Sequence, residues 1–184
     1  MVATTALEAR DDTVETWDAL RARRNVRQFT DQPVPVEALD RILEAGRRAP
    51  SAGNWQPWDF VLVTDRSQLV ELAKVWQGAK HVAGAAAAIA IVAPEQQDDR
   101  QSALLQYDLG QATYAMTVAA ADLGVGTSHA AATDQDQART ALGFPQGRFL
   151  AHLLSAGYPS DKPLTVIERP RRRPFDEVVH RGRW

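Results

Sequence analysis

Apolar positions along this chain alternate between helical and strand periods. Val14, Trp17 and Leu20 recur at helical spacing and predict a first helix, Thr13–Arg23, that ends in a cluster of arginines. Pro33 and Pro35 break the chain, and Pro35 stands where prolines open helices. The helix that follows, to about Arg48, aligns Leu39, Ile42, Leu43 and Gly46 on one face. Asp59–Thr64 (DFVLVT) reads as a buried strand, closed by Asp65 as a helix N-cap. The next helix, Ser67–Trp76, carries Leu69, Leu72, Ala73 and Trp76 inward, and Ala85–Ala93 is a second core strand stopped by Pro94. A long helix of roughly Ser102–Leu123, capped by Asp99 or Ser102, ends at Gly124. Its alanines at 112, 115, 119 and 120 permit close approach of another helix. Val125–Ala130 is a short strand, Thr133 or Asp134 caps a brief helix ending at Gly143, and Phe149–Gly157 is a third clear strand.

The tail, Asp161–Trp184, has three prolines, a basic run at Arg169–Arg173 and no helical period. Such a segment cannot bury a core of its own, so it is expected to lie on another surface, that of a partner subunit. Helices and strands are mixed, with too few βαβ units for a doubly wound sheet, so the expected class is α+β. No internal repeat or second domain is visible. The expectation is one domain over residues 1–184, with a polar, frayed start at Met1–Asp12.

A net charge of −2 argues against a general binder of nucleic acid or membrane surfaces. The absence of cysteine removes disulfides and thiolate metal sites and suits a reducing cytoplasm. The first residues lack the basic start and apolar core of a signal peptide, and the best apolar run, Val82–Ala93, is too short to span a bilayer. A cytoplasmic location is therefore expected.

Two segments carry the chemistry. Arg23–Phe29 (RRNVRQF) places three arginines within five residues, enough charge for a phosphate or an anionic ring. Ala49–Trp58 (APSAGNWQPW) combines small residues, an amide and proline, as in loops where backbone approaches a flat ligand. Taken singly, the first is an ordinary solvated helix end and the second an ordinary turn. Their order, with one helix between them and a strand after, is what departs from chance.

Gly124–His129 (GVGTSH) does not make a dinucleotide fingerprint. It lacks the third glycine, no helix follows it, and a helix rather than a strand precedes it. A helix C-cap leading into a strand accounts for both glycines. The histidines at 81, 129, 152 and 180 lack ligand spacing, and His152, inside an apolar strand, reads as a hydrogen-bonded core residue. No side chain stands out as a nucleophile or general base. A redox cofactor held by the protein is consistent with that.

The two segments together resemble the FMN-binding half of the nitroreductase family. The resemblance implies a nitroreductase-like fold, a mostly antiparallel or mixed sheet flanked by helices in an intertwined homodimer. It places Arg23, Arg24 and Asn25 on the phosphate and ribityl chain, where the family commonly has serine at the position of Asn25. It brings Arg27 to the pyrimidine edge, where donors stabilise the charge that reduction places on N1 and O2. Pro50, Ser51, Ala52 and Asn54 would meet the FMN of the other subunit, and Thr127, Ser128 and His129 would run along the flavin ring. An arginine of the tail's RPRRRP would complete the phosphate site, Arg172 ahead of Arg171 and Arg173. The implied activity is hydride transfer from NADH or NADPH through FMN to a nitroaromatic or quinone, by a ping-pong mechanism. Other reactions of the family (peptide oxidation, dehalogenation, flavin destruction) use the same motifs, and a flavin-binding protein without turnover is the alternative outside enzymes.

Overall fold

The computed structural model describes residues 16–184. Val14 and the polar start at Met1–Asp12 lie outside the described residues. Four strands form one sheet in the order β1-β2-β4-β3: β1 (Asp59–Val63), β2 (Ala87–Pro94), β3 (Gly126–Ala131) and β4 (Arg148–Gly157). Every neighbouring pair is antiparallel, so the expected α+β class holds and the sheet itself is not mixed.

The two central strands are apolar on both faces because both faces are covered. Ile89, Ile91, Leu154 and Ala156 face α2 (Val36–Arg47) and α4 (Asp99–Asp122). Ala88, Ala90, Val92 and Leu153 face α3 (Arg66–Leu72), a 3₁₀ segment at Gln77–Gly84, and α5 (Gln135–Leu142). The face α2 presents is the expected one: Leu39, Ile42 and Gly46 are buried. A Cβ on Gly46 would stand 2.8 Å from Cγ of Met116, so the missing side chain sets how closely α2 meets α4. Ala112 and Ala120 of α4 are buried in this same core, so part of its alanine stripe is covered within the chain.

Capping follows residue chemistry. Asp65 accepts from the backbone N–H of Gln68 to open α3, and Asp134 accepts from that of Gln137 to open α5. Gly143 ends α5 at φ 72°, and Gly124 follows α4 at φ 69°, the left-handed conformation that favours glycine. Other boundaries differ from the pattern. Asp98, not Asp99 or Ser102, caps α4 by accepting from Gln101, which adds a turn to the helix. α3 stops at Leu72, and the chain turns through 3₁₀ geometry where Gly78 packs under the Trp76 ring. The second strand begins at Ala87 rather than Ala85. On α1 (Thr16–Ala22), Ala19 and Ala22 are buried while Trp17 is 67% exposed, so the indole is not on the inward face.

One irregularity shapes the site. Ile91 pairs with His152 but Val92 pairs with Leu150, so Ala151 is an extra residue in β4. This bulge turns both Ala151 and His152 toward the α4 face.

Candidate functional site

After α1 the arginine segment runs as an extended strip along β3. Asn25 bridges Thr127 in parallel, and the N–H of Val26 donates to the Thr127 carbonyl at 2.9 Å. Gly126 makes this approach possible: a Cβ there would lie 2.6 Å from Cγ2 of Val26. Further along, Thr30 donates to the Tyr158 carbonyl, and Gly157 leaves room for the ring of Phe29. The strip is thereby laid against the sheet edge by backbone, leaving the arginine side chains uncommitted to the core.

Arg23 reaches a cavity of about 400 Å³ between α4 and β3, where its guanidinium lies 5.6 Å from the centre of the Tyr114 ring. Thr113, His129 and His152 line the same cavity. That size falls within the roughly 300–1,000 Å³ of small-molecule sites. A cation at the rim with mainly apolar walls suits a flat ring carrying an anionic tail.

Thr113 Oγ1 donates to the Leu109 carbonyl at 2.8 Å, so its contact with His152 Nε2 at 2.6 Å needs the ring nitrogen as donor. Burial lowers the His152 pKa to about 4, with the charge of His129 adding to the effect, and the imidazole is neutral at pH 7.

A second histidine follows the same logic. Ser155 Oγ donates to the Ser128 carbonyl, so it accepts from Nδ1 of His81 at 3.0 Å. Burial, then the nearby charges of Arg27 and His129, lower the His81 pKa. Nε2 of His81 and Oγ of Ser128 are both buried without a partner among the described residues. His81, Ser155, Thr113 and Tyr114 were not singled out from the pattern, because each reads as an ordinary position in its own element.

The remaining arginines differ in setting. Arg24 donates through Nη2 to Asp161 at 2.9 Å and to the Lys162 carbonyl at 2.6 Å, and its Nε is buried and unpaired. The Arg24 guanidinium in turn holds the Asp161 carboxyl below its ordinary range. Arg27 and Asn25 are exposed. Residues 161–168 of the tail lie on this chain, through Arg24, through Ile167 N–H to the Arg21 carbonyl, and through Arg21 to Glu168. Beyond them every residue from Arg169 to Trp184 is exposed, including Arg172, whose guanidinium bonds only the carbonyl of Arg171.

The Pro50–Asn54 loop does not line the Arg23 cavity. It is held to α4 by Asp108, which accepts from the Ala52 N–H at 3.0 Å, while Gln111 reaches the Pro50 carbonyl at 3.4 Å. At about 100° per helical residue, Asp108 and the cavity-lining Thr117 point roughly 180° apart. One chain therefore presents the arginine strip and the small-residue loop on opposite sides of α4.

Comparison with known proteins identifies the fold. Residues 20–79 match the Nitroreductase family model, which spans the arginine strip, the loop and β1. A protein of Archaeoglobus fulgidus described as an NADH dehydrogenase/NAD(P)H nitroreductase is 30% identical over 166 residues, covering 88% of this chain and 94% of its own length. Nitroreductase A of Vibrio parahaemolyticus superposes with a TM-score of 0.80 at 25% identity, covering 96% of this chain and 77% of that one. An FMN-dependent nitroreductase of Clostridium difficile superposes at 0.78 and 23% identity, over 91% and 99% of the two chains. The chain belongs to the nitroreductase family and is an oxidoreductase of that fold. Among the described residues no helix is long and apolar enough to cross a membrane, and no group of three or more His, Cys, Asp or Glu side chains could hold a metal.

Proposed function

We propose that this chain is an FMN-dependent oxidoreductase that passes hydride from NADH or NADPH to a small organic acceptor, a nitroaromatic or a quinone, as a homodimer. The observation that carries this reading is the pairing of Asn25 with Thr127, which sets Arg23 and His129 on one cavity. FMN supplies the hydride-accepting centre when bound. Arg23, with Arg24 and Asn25 beside it, holds the phosphate end, since guanidinium forks match phosphate oxygens. Arg27 lies close enough to His81 to depress its pKa, a cation suited to charge developing on the ring. Thr127, Ser128 and His129 form the wall beside the ring, with Ser128 Oγ and His81 Nε2 as spare polar atoms beneath it. The neutral His152 keeps that wall uncharged.

Placement supports the homodimer. Pro50, Ser51, Ala52 and Asn54 sit across α4 from the Arg23 cavity, so they serve the site of a second copy. Trp17, Tyr107, Tyr114, Phe175 and Trp184 are exposed apolar groups that such a partner would cover. Arg172 then reaches a phosphate from the exposed part of the tail. The test is reconstitution with FMN, followed by anaerobic mixing with each nicotinamide nucleotide. Loss of flavin absorbance supports an enzyme, whereas tight flavin that neither nucleotide reduces would leave a binding protein without turnover.

A further inference from the structure

Asp108 is the only acidic side chain among the buried residues of the described chain, at 1% exposure. It sits on α4 among Leu105, Leu109 and Ala112, all in the apolar core. No lysine or arginine among the described residues pairs with it. Its partners are the Ala52 N–H, on Oδ2 at 3.0 Å, and the Gln111 side-chain amide, on Oδ1 at 3.4 Å. A buried carboxylate without a cation is costly, and cores seldom keep one for stability alone.

What it holds is strained. Within four residues of Ala52, Gly53, Asn54 and Gln56 take φ of 56°, 57° and 54°. Two of these carry side chains, and left-handed backbone at such residues costs of order 1–3 kcal/mol and persists only where surroundings over-determine it. Three bonds do so: Ala52 to Asp108, Gln56 N–H to Ser51 Oγ at 2.8 Å, and Gln111 to the Pro50 carbonyl at 3.4 Å. Only the first of them anchors in the core.

We infer that Asp108 is a positioning residue: its carboxylate fixes the Ser51–Asn54 loop of one subunit in the conformation that meets the flavin bound to the other. This rests on the proposed homodimeric FMN site and adds the group that sets its cross-subunit half. The residue touches the loop and not the flavin, so it acts through Ala52.

The test uses FMN titration of the full-length protein and of mixed dimers. Asp108→Ala leaves the Ala52 N–H unmet and is expected to weaken FMN about tenfold or more, near 1.4 kcal/mol. Asp108→Asn keeps an oxygen for the Ala52 N–H and gives up only the long 3.4 Å contact from Gln111, so its affinity is expected to stay within about threefold of the parent. Ala52→Pro removes the same bond from the other end without touching the core. Proline suits that first position of the turn, and Ser51 before it is already extended at φ −144° and ψ 156°. Ala52→Pro is expected to reproduce the Asp108→Ala loss, with the two changes non-additive when combined.

Unfolding and refolding Asp108→Ala together with Arg23→Ala then separates this role from a general loss of stability. Each heterodimer would contain one intact site, made from the Arg23 of one chain and the loop of the other. Random assortment makes about half the dimers mixed, so about a quarter of all sites regain parental affinity. Parental affinity in both Asp108→Ala and Ala52→Pro overturns the inference. So does a loss in Asp108→Ala that Asp108→Asn and mixing both fail to relieve. In that last case Asn54→Ala mixed with Arg23→Ala serves as the control: recovery there keeps the cross-subunit reading and removes Asp108 alone, and no recovery removes both.

Discussion

Val26 and Gly126 are in contact distance across the sheet edge, and the absence of a side chain on Gly126 is what lets the Val26 N–H reach the Thr127 carbonyl. Gly126→Ala drives a methyl to 2.6 Å from Cγ2 of Val26, against a β-branched residue that cannot swing away. The expected result is a loss of about 1–3 kcal/mol in stability, as for other overpacked sites, together with weakened FMN, because the arginine strip must lift. Gly84→Ala is the control, since nothing stands within 4 Å of its new methyl, and both stability and FMN affinity are expected to hold. Chemical denaturation and flavin titration of both variants check this.

Arg23 and Arg24 are expected to contribute through the phosphate. Replacing both with alanine weakens FMN by several kcal/mol, at roughly 1.5–3 kcal/mol for each charge-assisted contact. Riboflavin, which lacks the phosphate, is expected to lose far less. Calorimetric titration with the two flavins measures the difference, and equal losses would remove the phosphate assignment.

How much of this was legible beforehand depended on whether a residue's role was local. Asp65 and Gly143 act within one turn of themselves, and their roles could be read directly, whereas Thr133 and Asp134 both stood as caps for α5 until the fold showed Asp134. The α2 face could be read because Leu39, Ile42 and Gly46 repeat at the helical period. The α4 start was missed by a turn because Asp98, Asp99 and Ser102 are all competent caps within five positions, and tertiary packing chose among them. The 3₁₀ segment at Gln77–Gly84 carries no period that separates it from a helix end. Asp108 and His81 were missed for a different reason: a single polar residue in α4 or a turn reads as solvated. Only the fold brings one beneath the Ala52 loop and the other beside Ser155.

The exposed part of the tail is expected to be required for assembly. Arg169–Trp184 makes its few bonds within itself, yet carries Phe175 at 64% and Trp184 at 99% exposure. Deleting Ile167–Trp184 is expected to lose dimer and FMN together, read by sedimentation and flavin absorbance. A truncated chain that is folded, monomeric and fully flavin-loaded would contradict the shared site.

Stability is expected to fall as pH drops from 6.5 toward 4. The His152 pKa is lower in the folded chain, about 4, than the ordinary 6.5, so the unfolded chain binds the extra proton across that window. The stabilisation is complete above 6.5 and is lost as pH falls through 4, up to about 3 kcal/mol. Urea denaturation across that range measures it. His152→Leu removes the titrating group and leaves Thr113 bonded to Leu109, so its stability curve is expected to be flatter by that amount.

Arg27→Ala is expected to slow flavin reduction and lower the flavin potential while leaving much of the FMN bound, because the charge it meets appears only on reduction. An unchanged potential would return Arg27 to the solvated surface.

The most direct measurement is rapid mixing of the FMN-loaded protein with NADH or NADPH under anaerobic conditions, followed by mixing with a quinone or nitroaromatic. The account predicts flavin bleaching at least as fast as turnover, reoxidation by the acceptor after the nucleotide has left, and parallel double-reciprocal lines. Intersecting lines with a ternary complex would contradict the single shared position, and flavin that neither nucleotide bleaches would contradict hydride transfer altogether.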